Sequence, residues 1–157
     1  MHNNFKEIQK FDQWWLWVIL LIFPILSLGD YEGNGINFNY VIIGVLIPLC
    51  FYFLELRTIL NKNGFAYQFF PIHLKYYKIN FDEIESIESV IYRPIGDFGG
   101  WGIRFGFKAK AYTTKGNKGV MINLKTGRKV LFGSQKSKEL EKAFNYYLKN
   151  YSSTIMK

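Results

Sequence analysis

The chain has 157 residues, 20 Lys and Arg against 12 Asp and Glu for a net charge of +8, and an aromatic content of 19%. With one cysteine and two histidines, an intrachain disulfide, a multi-cysteine metal site and a histidine ligand cluster are all excluded. The length suits one ordinary domain, but the apolar residues are unevenly spread along it.

They collect near the start. After an N-terminal segment of residues 1–12, "QWWLWVILLIFPILSLG" (Gln13 to Gly29) carries no charge, and neither does "GNGINFNYVIIGVLIPLCFYFL" (Gly33 to Leu54). A bilayer core of ~30 Å needs roughly 20 apolar residues in helix, so the second run is long enough and the first is at the short edge. A buried core hairpin would need a polar face or a large surrounding domain, and both runs are apolar all round with only about 100 residues left to cover them. A cleaved leader would suit Lys6, Lys10 and the small residues near Gly29. Against it, Glu7 and Asp12 dilute the basic region, while Trp14, Trp15 and Trp17 form an aromatic cluster typical of an anchored helix end. The reading is a transmembrane helical hairpin over residues 13–56, with these three tryptophans as membrane-interface anchors.

Loop charge sets its orientation. The connecting "DYEGNGINFN" holds Asp30 and Glu32 and no Lys or Arg, whereas Lys6 and Lys10 precede the hairpin and Arg57 and Lys62 follow it. The positive-inside rule then gives a multi-pass protein of the cell membrane with both termini cytoplasmic. Pro24 and Pro48 predict kinks, since neighbouring groups re-satisfy the freed carbonyls. Cys50 falls inside the second run, and His2 and His73 are read as structural or incidental.

Beyond Glu55 the pattern changes to short alternating runs punctuated by Gly, Asn and Pro, which signals strands. Residues 65–70, 87–93, 101–107, 110–114, 119–125 and 128–133 are the expected ones, with a tight hairpin at Thr126 and Gly127. "FDEIESIES" reads as an exposed edge or short helix with Ile84 and Ile87 turned inward. From Ser137 onward Leu140, Ala143, Phe144, Tyr147, Leu148 and Tyr151 form one apolar stripe at helical spacing, with Ser134 or Ser137 as candidate N-cap. The fold class is therefore α+β, with six or seven strands closed by a terminal helix in a unit of residues 57–157.

"DFGGWGIR", followed by "AYTTKGNKGV" and "LFGSQKSKEL", resembles small bacterial integral membrane proteins that carry a pleckstrin-homology-like domain after a two-helix hairpin. The resemblance runs from the first tryptophan cluster to the end of the chain. It implies a PH-like bent sheet or barrel capped by the C-terminal helix, and no assigned reaction. Lipid-binding PH domains hold inositol phosphates with several basic residues on the first two strands, where this chain offers only Arg57 and Lys62. A phosphoinositide site of that kind is not expected.

The glycine-rich stretch "GDFGGWGIR" (Gly96 to Arg104) has neither a Walker spacing nor a dinucleotide fingerprint followed by a helix. Trp101, Ile103, Phe105 and Phe107 instead alternate with Gly102, Arg104, Gly106 and Lys108, giving a strand with one aromatic face and one small or cationic face. Gly99 and Gly100 supply a turn or bulge ahead of it. Arg104 either pairs with Asp97 or a neighbouring carboxylate, or serves as an anion ligand.

Charge is the most informative feature of the second half. Residues 57–157 hold 18 basic and 7 acidic side chains, and from Phe98 to Lys138 there are ten basic residues and no acidic one. Arg104, Lys108, Lys110, Lys115, Lys118, Arg128 and Lys129 are the candidate lipid- or anion-binding residues, against the alternative of an ordinary solvated surface. Basic side chains near an anionic leaflet contribute about 1 kcal/mol each. Nucleic acid would attract the same charge but no recognition element accompanies it. Paired acid and base groups for catalysis are not evident, and the spans hold no ionisable residue of the kind transport requires. No enzyme, metal or cofactor is expected. Two functions are carried forward. One is a binding module for anionic lipid headgroups or a protein segment at the lipid bilayer; the other is a structural subunit that assembles with itself or other membrane proteins.

Overall fold

The structure, a computed structural model, describes residues 4–27, 38–106 and 109–155. It divides into two compact units, one within Lys10–Leu54 and one made of the residues on either side.

The smaller unit is a helical hairpin of α1 (Trp14–Ser27) and α2 (Phe38–Phe53). Its seam is built on small contacts. A Cβ at Gly44 would stand 2.9 Å from Cα of Pro24, so glycine on α2 is what admits the backbone of α1. At the open end the Phe11 and Phe51 rings meet edge-on at 5.3 Å, and the Trp17 indole N–H donates to the Phe11 carbonyl at 2.9 Å. Elsewhere on both helices apolar side chains are uncovered, among them Ile19 (59% exposed), Ile25 (65%) and Val45 (55%).

The expected pair of transmembrane helices is not what forms. At 1.5 Å per residue, α1 and α2 are about 21 and 24 Å long, against a hydrocarbon core of ~30 Å. No described helix is long and apolar enough to cross a membrane. The charge-free runs are longer than the helices described within them: α2 starts at Phe38, five residues into its run. The residues before it, Gly-Asn-Gly-Ile-Asn, lie outside the described residues and are rich in weak helix formers. A charge-free run alone therefore does not establish a membrane-spanning helix.

The larger unit holds two sheets. In the first, β1 (Phe5–Lys10), β2 (Glu55–Asn61), β3 (Gly64–Phe70) and β4 (Tyr77–Ile79) lie in chain order. β1 and β2 are neighbours, so the helical hairpin is an insertion between two adjacent strands. The second sheet contains β5 (Ile84–Ile91), β6 (Gly102–Phe105), β7 (Lys110–Thr113), β8 (Lys118–Leu124) and β9 (Lys129–Gly133), in the order β5-β8-β9-β7-β6. Every pairing in it is antiparallel except β7 with β9. A 3-10 turn at Phe81–Glu83 joins the sheets, a short helix α3 (Pro94–Phe98) precedes β6, and α4 (Ser137–Ile155) closes the chain.

One aromatic contact ties the layers together. Phe65 of β3 meets Phe132 of β9 at 4.8 Å and Phe144 of α4 at 5.1 Å, and all three are fully buried. Leu140 and Phe144 supply the buried part of the α4 stripe, while Tyr151 at its far end is exposed. The start of α4 is held from a distance. The Glu7 carboxylate on β1 accepts from Ser134 Oγ at 2.6 Å and from the Gln135 N–H at 3.0 Å, and Ser134 Oγ accepts from the Lys136 N–H. Glu7, an acidic interruption of a basic segment in the sequence, thus anchors the turn that leads into α4.

The glycine-rich stretch resolves into a capped turn and an edge strand. Gly99, at φ 68°, ends α3 with its N–H donating to the Ile95 carbonyl, the bond of an αL helix end, and the Gly100 N–H donates to the Pro94 carbonyl. β6 then pairs with β7 on one side only, so Phe105 stands 80% exposed instead of entering a core.

Candidate functional site

The structure sorts the basic residues that the sequence could only enumerate. Lys110 begins β7, while Arg128 and Lys129 follow the turn at Thr126 and Gly127. That turn is closed by mutual bonds of 2.8 Å, from the Leu124 N–H to the Arg128 carbonyl and from the Gly127 N–H to the Leu124 carbonyl. Because β7 and β9 run parallel with Lys110 opposite Val130, the start of both strands falls at the same end of the sheet. These three cations line one cleft of about 610 Å³ together with Tyr67, Phe105, Tyr112 and Glu83.

Its walls are aromatic. Lys110 Nζ lies 4.9 Å from the Phe105 ring centre and 5.0 Å from that of Tyr112, a cation held over two π faces. Tyr112 stacks on Phe132 at 5.3 Å and meets Tyr67 at 4.9 Å. Burial, reinforced by the hydrogen bond to Tyr112, pushes the Tyr67 hydroxyl far above the ordinary tyrosine range, and burial raises Tyr112 as well. Both are neutral phenols at physiological pH. His73 completes the cluster at 4.6 Å from Tyr77 and 5.7 Å from Tyr112. Burial first, and Lys110 second, hold its pKa below the usual value, so it adds no positive charge near neutrality.

The one carboxylate of the cleft is engaged elsewhere. Glu83 Oε1 accepts from the Asn80 N–H at 3.2 Å and from Asn80 Nδ2 at 2.7 Å, closing the 3-10 turn. Among the described residues no carboxylate lies within ion-pair distance of Lys110, Arg128 or Lys129; Glu55 and Asp97 pair instead with Arg57 and Arg93.

The other described candidates are not brought to this cleft. Arg104 donates from Nε to the Trp101 carbonyl at 2.9 Å, and Asp97 is taken by Arg93. Lys118 lines a separate cleft of about 590 Å³, where Lys136, Lys138 and Lys142 are mixed with Glu139 and Glu141. The Lys115 carbonyl accepts from the Gln135 side chain at 3.4 Å. Lys108 lies outside the described residues. Of the expected interface anchors, Trp14 is 77% exposed and Trp15 is exposed too, whereas Trp17 is tied to the Phe11 carbonyl.

Sequence reasoning missed Tyr67, Tyr112, Phe105 and Glu83 as members of a site. The alternation in "FAYQFF" and "KAYTT" placed both tyrosines on strands, but no periodicity says which strands face each other. Among the described residues no group of three or more His, Cys, Asp and Glu could hold a metal ion.

These features define an α+β protein of two sheets and a terminal helix, with a helical hairpin inserted between its first two strands and a cationic, aromatic cleft at one end of its second sheet. No protein-family model matches the chain, and no curated protein matches it.

Proposed function

We propose that the protein is a non-catalytic binding module held against a lipid bilayer, with the inserted hairpin immersed in the acyl region without crossing it and the basic unit meeting anionic headgroups. The observation that carries this reading is a hairpin whose two helices hold no charged residue and whose uncovered side chains are apolar on both of them. In water each exposed Ile, Leu or Phe forgoes roughly 1.5–3 kcal/mol of burial, and a patch of this kind marks a surface built to be covered. Lipid fits it better than a protein groove does, because a groove covers one face and leaves the others wet. A hairpin enters and leaves by one face, so both chain ends stay on one side. The cytoplasmic leaflet, being the anionic one, suits the net +11 of residues 57–157.

The resemblance to PH-like domains is supported at the level of layers, two packed sheets and a terminal helix. The parallel pairing of β7 and β9 is a feature that a simple antiparallel meander lacks.

The test uses the full chain with Trp101→Phe, which leaves the three hairpin tryptophans as reporters. In vesicles with brominated acyl chains their fluorescence is expected to fall strongly, most at bromines nearest the headgroup. Unquenched tryptophans in a protein that assembles with itself in lipid-free solution would favour the structural-subunit reading instead.

A further inference from the structure

We propose that the cleft formed by Lys110, Arg128 and Lys129 against Tyr67, Tyr112 and Phe105 is a discrete site for a phosphate ester, distinct from the diffuse charge of the rest of the surface. The proposal takes its ligand class from the reading above, anionic phosphate, and adds a location and a mode of binding.

Three observations carry it. Three cations, two from strands and one from the turn before β9, converge on one cleft without a carboxylate partner among the described residues, and its single acid, Glu83, is bonded to Asn80. The separate cleft at the start of α4 mixes lysines with two glutamates, so positive charge alone does not single out a site. The volume of about 610 Å³ falls in the range of small-molecule pockets, ~300–1,000 Å³, and exceeds the needs of a bare phosphate. The organic part of an ester would lie over the exposed Phe105 ring and the Tyr112 wall while the phosphate meets the charged groups.

Lys110 has a particular part in this. Held between two ring faces, it loses less freedom on binding than a lysine free in solvent, which favours a defined geometry. Arg128 sits on a turn and supplies a planar fork for two phosphate oxygens. Glu83 opposes the anion, so its removal must act with the opposite sign.

The ester could be a lipid headgroup or a soluble compound, and the experiment separates them. The full chain in neutral detergent micelles is titrated with inorganic phosphate and with glycerol phosphate, following the Gly106 and Gly127 amides by NMR at ionic strength matched with chloride. In parallel it is placed in nanodiscs of phosphatidylcholine alone or mixed with phosphatidylglycerol. Saturable shifts at those two amides are expected, with glycerol phosphate tighter than inorganic phosphate, or with phosphatidylglycerol alone effective if the source is lipid. Lys110→Gln and Arg128→Gln should each weaken binding roughly tenfold or more, Glu83→Gln should strengthen it severalfold, and Lys118→Gln should leave it unchanged. Arg128 is exposed on a turn, so its variant reports binding even if Lys110→Gln disturbs the ring contacts. Shifts spread evenly over all basic regions, or equal losses from Lys118→Gln and Arg128→Gln, would overturn the proposal. Bromine quenching that persists while the cleft variants bind as wild type removes the site alone; phosphate binding without quenching removes only the membrane reading.

Discussion

His73 shows how a residue with no role legible in the sequence acquires one through its neighbours. Its Nδ1 accepts from the Phe69 N–H at 3.3 Å, and Gln68 donates to its carbonyl at 3.0 Å. With its pKa held below 6.5 by burial and by Lys110, the imidazole resists protonation in the folded chain more than in the unfolded one. As pH falls through 6.5 the unfolded chain takes up the proton first, so stability is fully present above that value, declines below it, and levels off once the folded imidazole also titrates. Denaturant midpoints measured between about pH 5 and 8 should follow this slope. His73→Gln, which keeps an acceptor, should flatten it, and an unchanged slope would remove His73 as the cause. The sequence could establish only that this histidine has no partner histidine or cysteine cluster. Its setting among Tyr67, Tyr77 and Tyr112 depends on contacts between the two sheets.

At the scale of the element, the hairpin, the tight turn at Gly127 and the terminal helix follow from local pattern. α4 begins at Ser137, where the stripe begins. β4 and α3 are less legible because they are short, and β1 because half of it is charged, so its strand character comes from pairing beside β2. Helix length is the element property the sequence overstates. The α1–α2 seam offers a test with competing signs. Gly44→Ala gains up to ~1 kcal/mol of helix propensity, but a methyl 2.9 Å from the Pro24 backbone cannot be absorbed by a side-chain rotation. Overpacking of this kind costs typically ~1–3 kcal/mol. The net effect should be looser packing, read as faster amide hydrogen exchange in both helices of the micelle-bound protein. Slower exchange would mean that propensity outweighs the close approach.

At the scale of the whole molecule, apolar surface and charge occupy different parts of one chain and respond differently to salt. The Debye length falls from ~10 Å at 0.1 M to ~3 Å at 1 M, which screens exposed headgroup contacts and leaves hydrophobic insertion intact. Vesicle flotation of the full chain should therefore persist at high salt while its preference for anionic over neutral vesicles disappears. Complete release at high salt would show that charge alone holds the protein to lipid.

Composition and periodicity by themselves determined that the chain pairs two charge-free helical runs with a basic, strand-rich unit ending in an amphipathic helix, because these are properties of neighbouring residues. Tertiary structure decided what depends on residues far apart. It brought Glu7 to the start of α4, set β7 parallel to β9, and selected Lys110, Arg128 and Lys129 from the candidate cations as one group. Strand order and register place those groups, and neither is encoded in any local repeat.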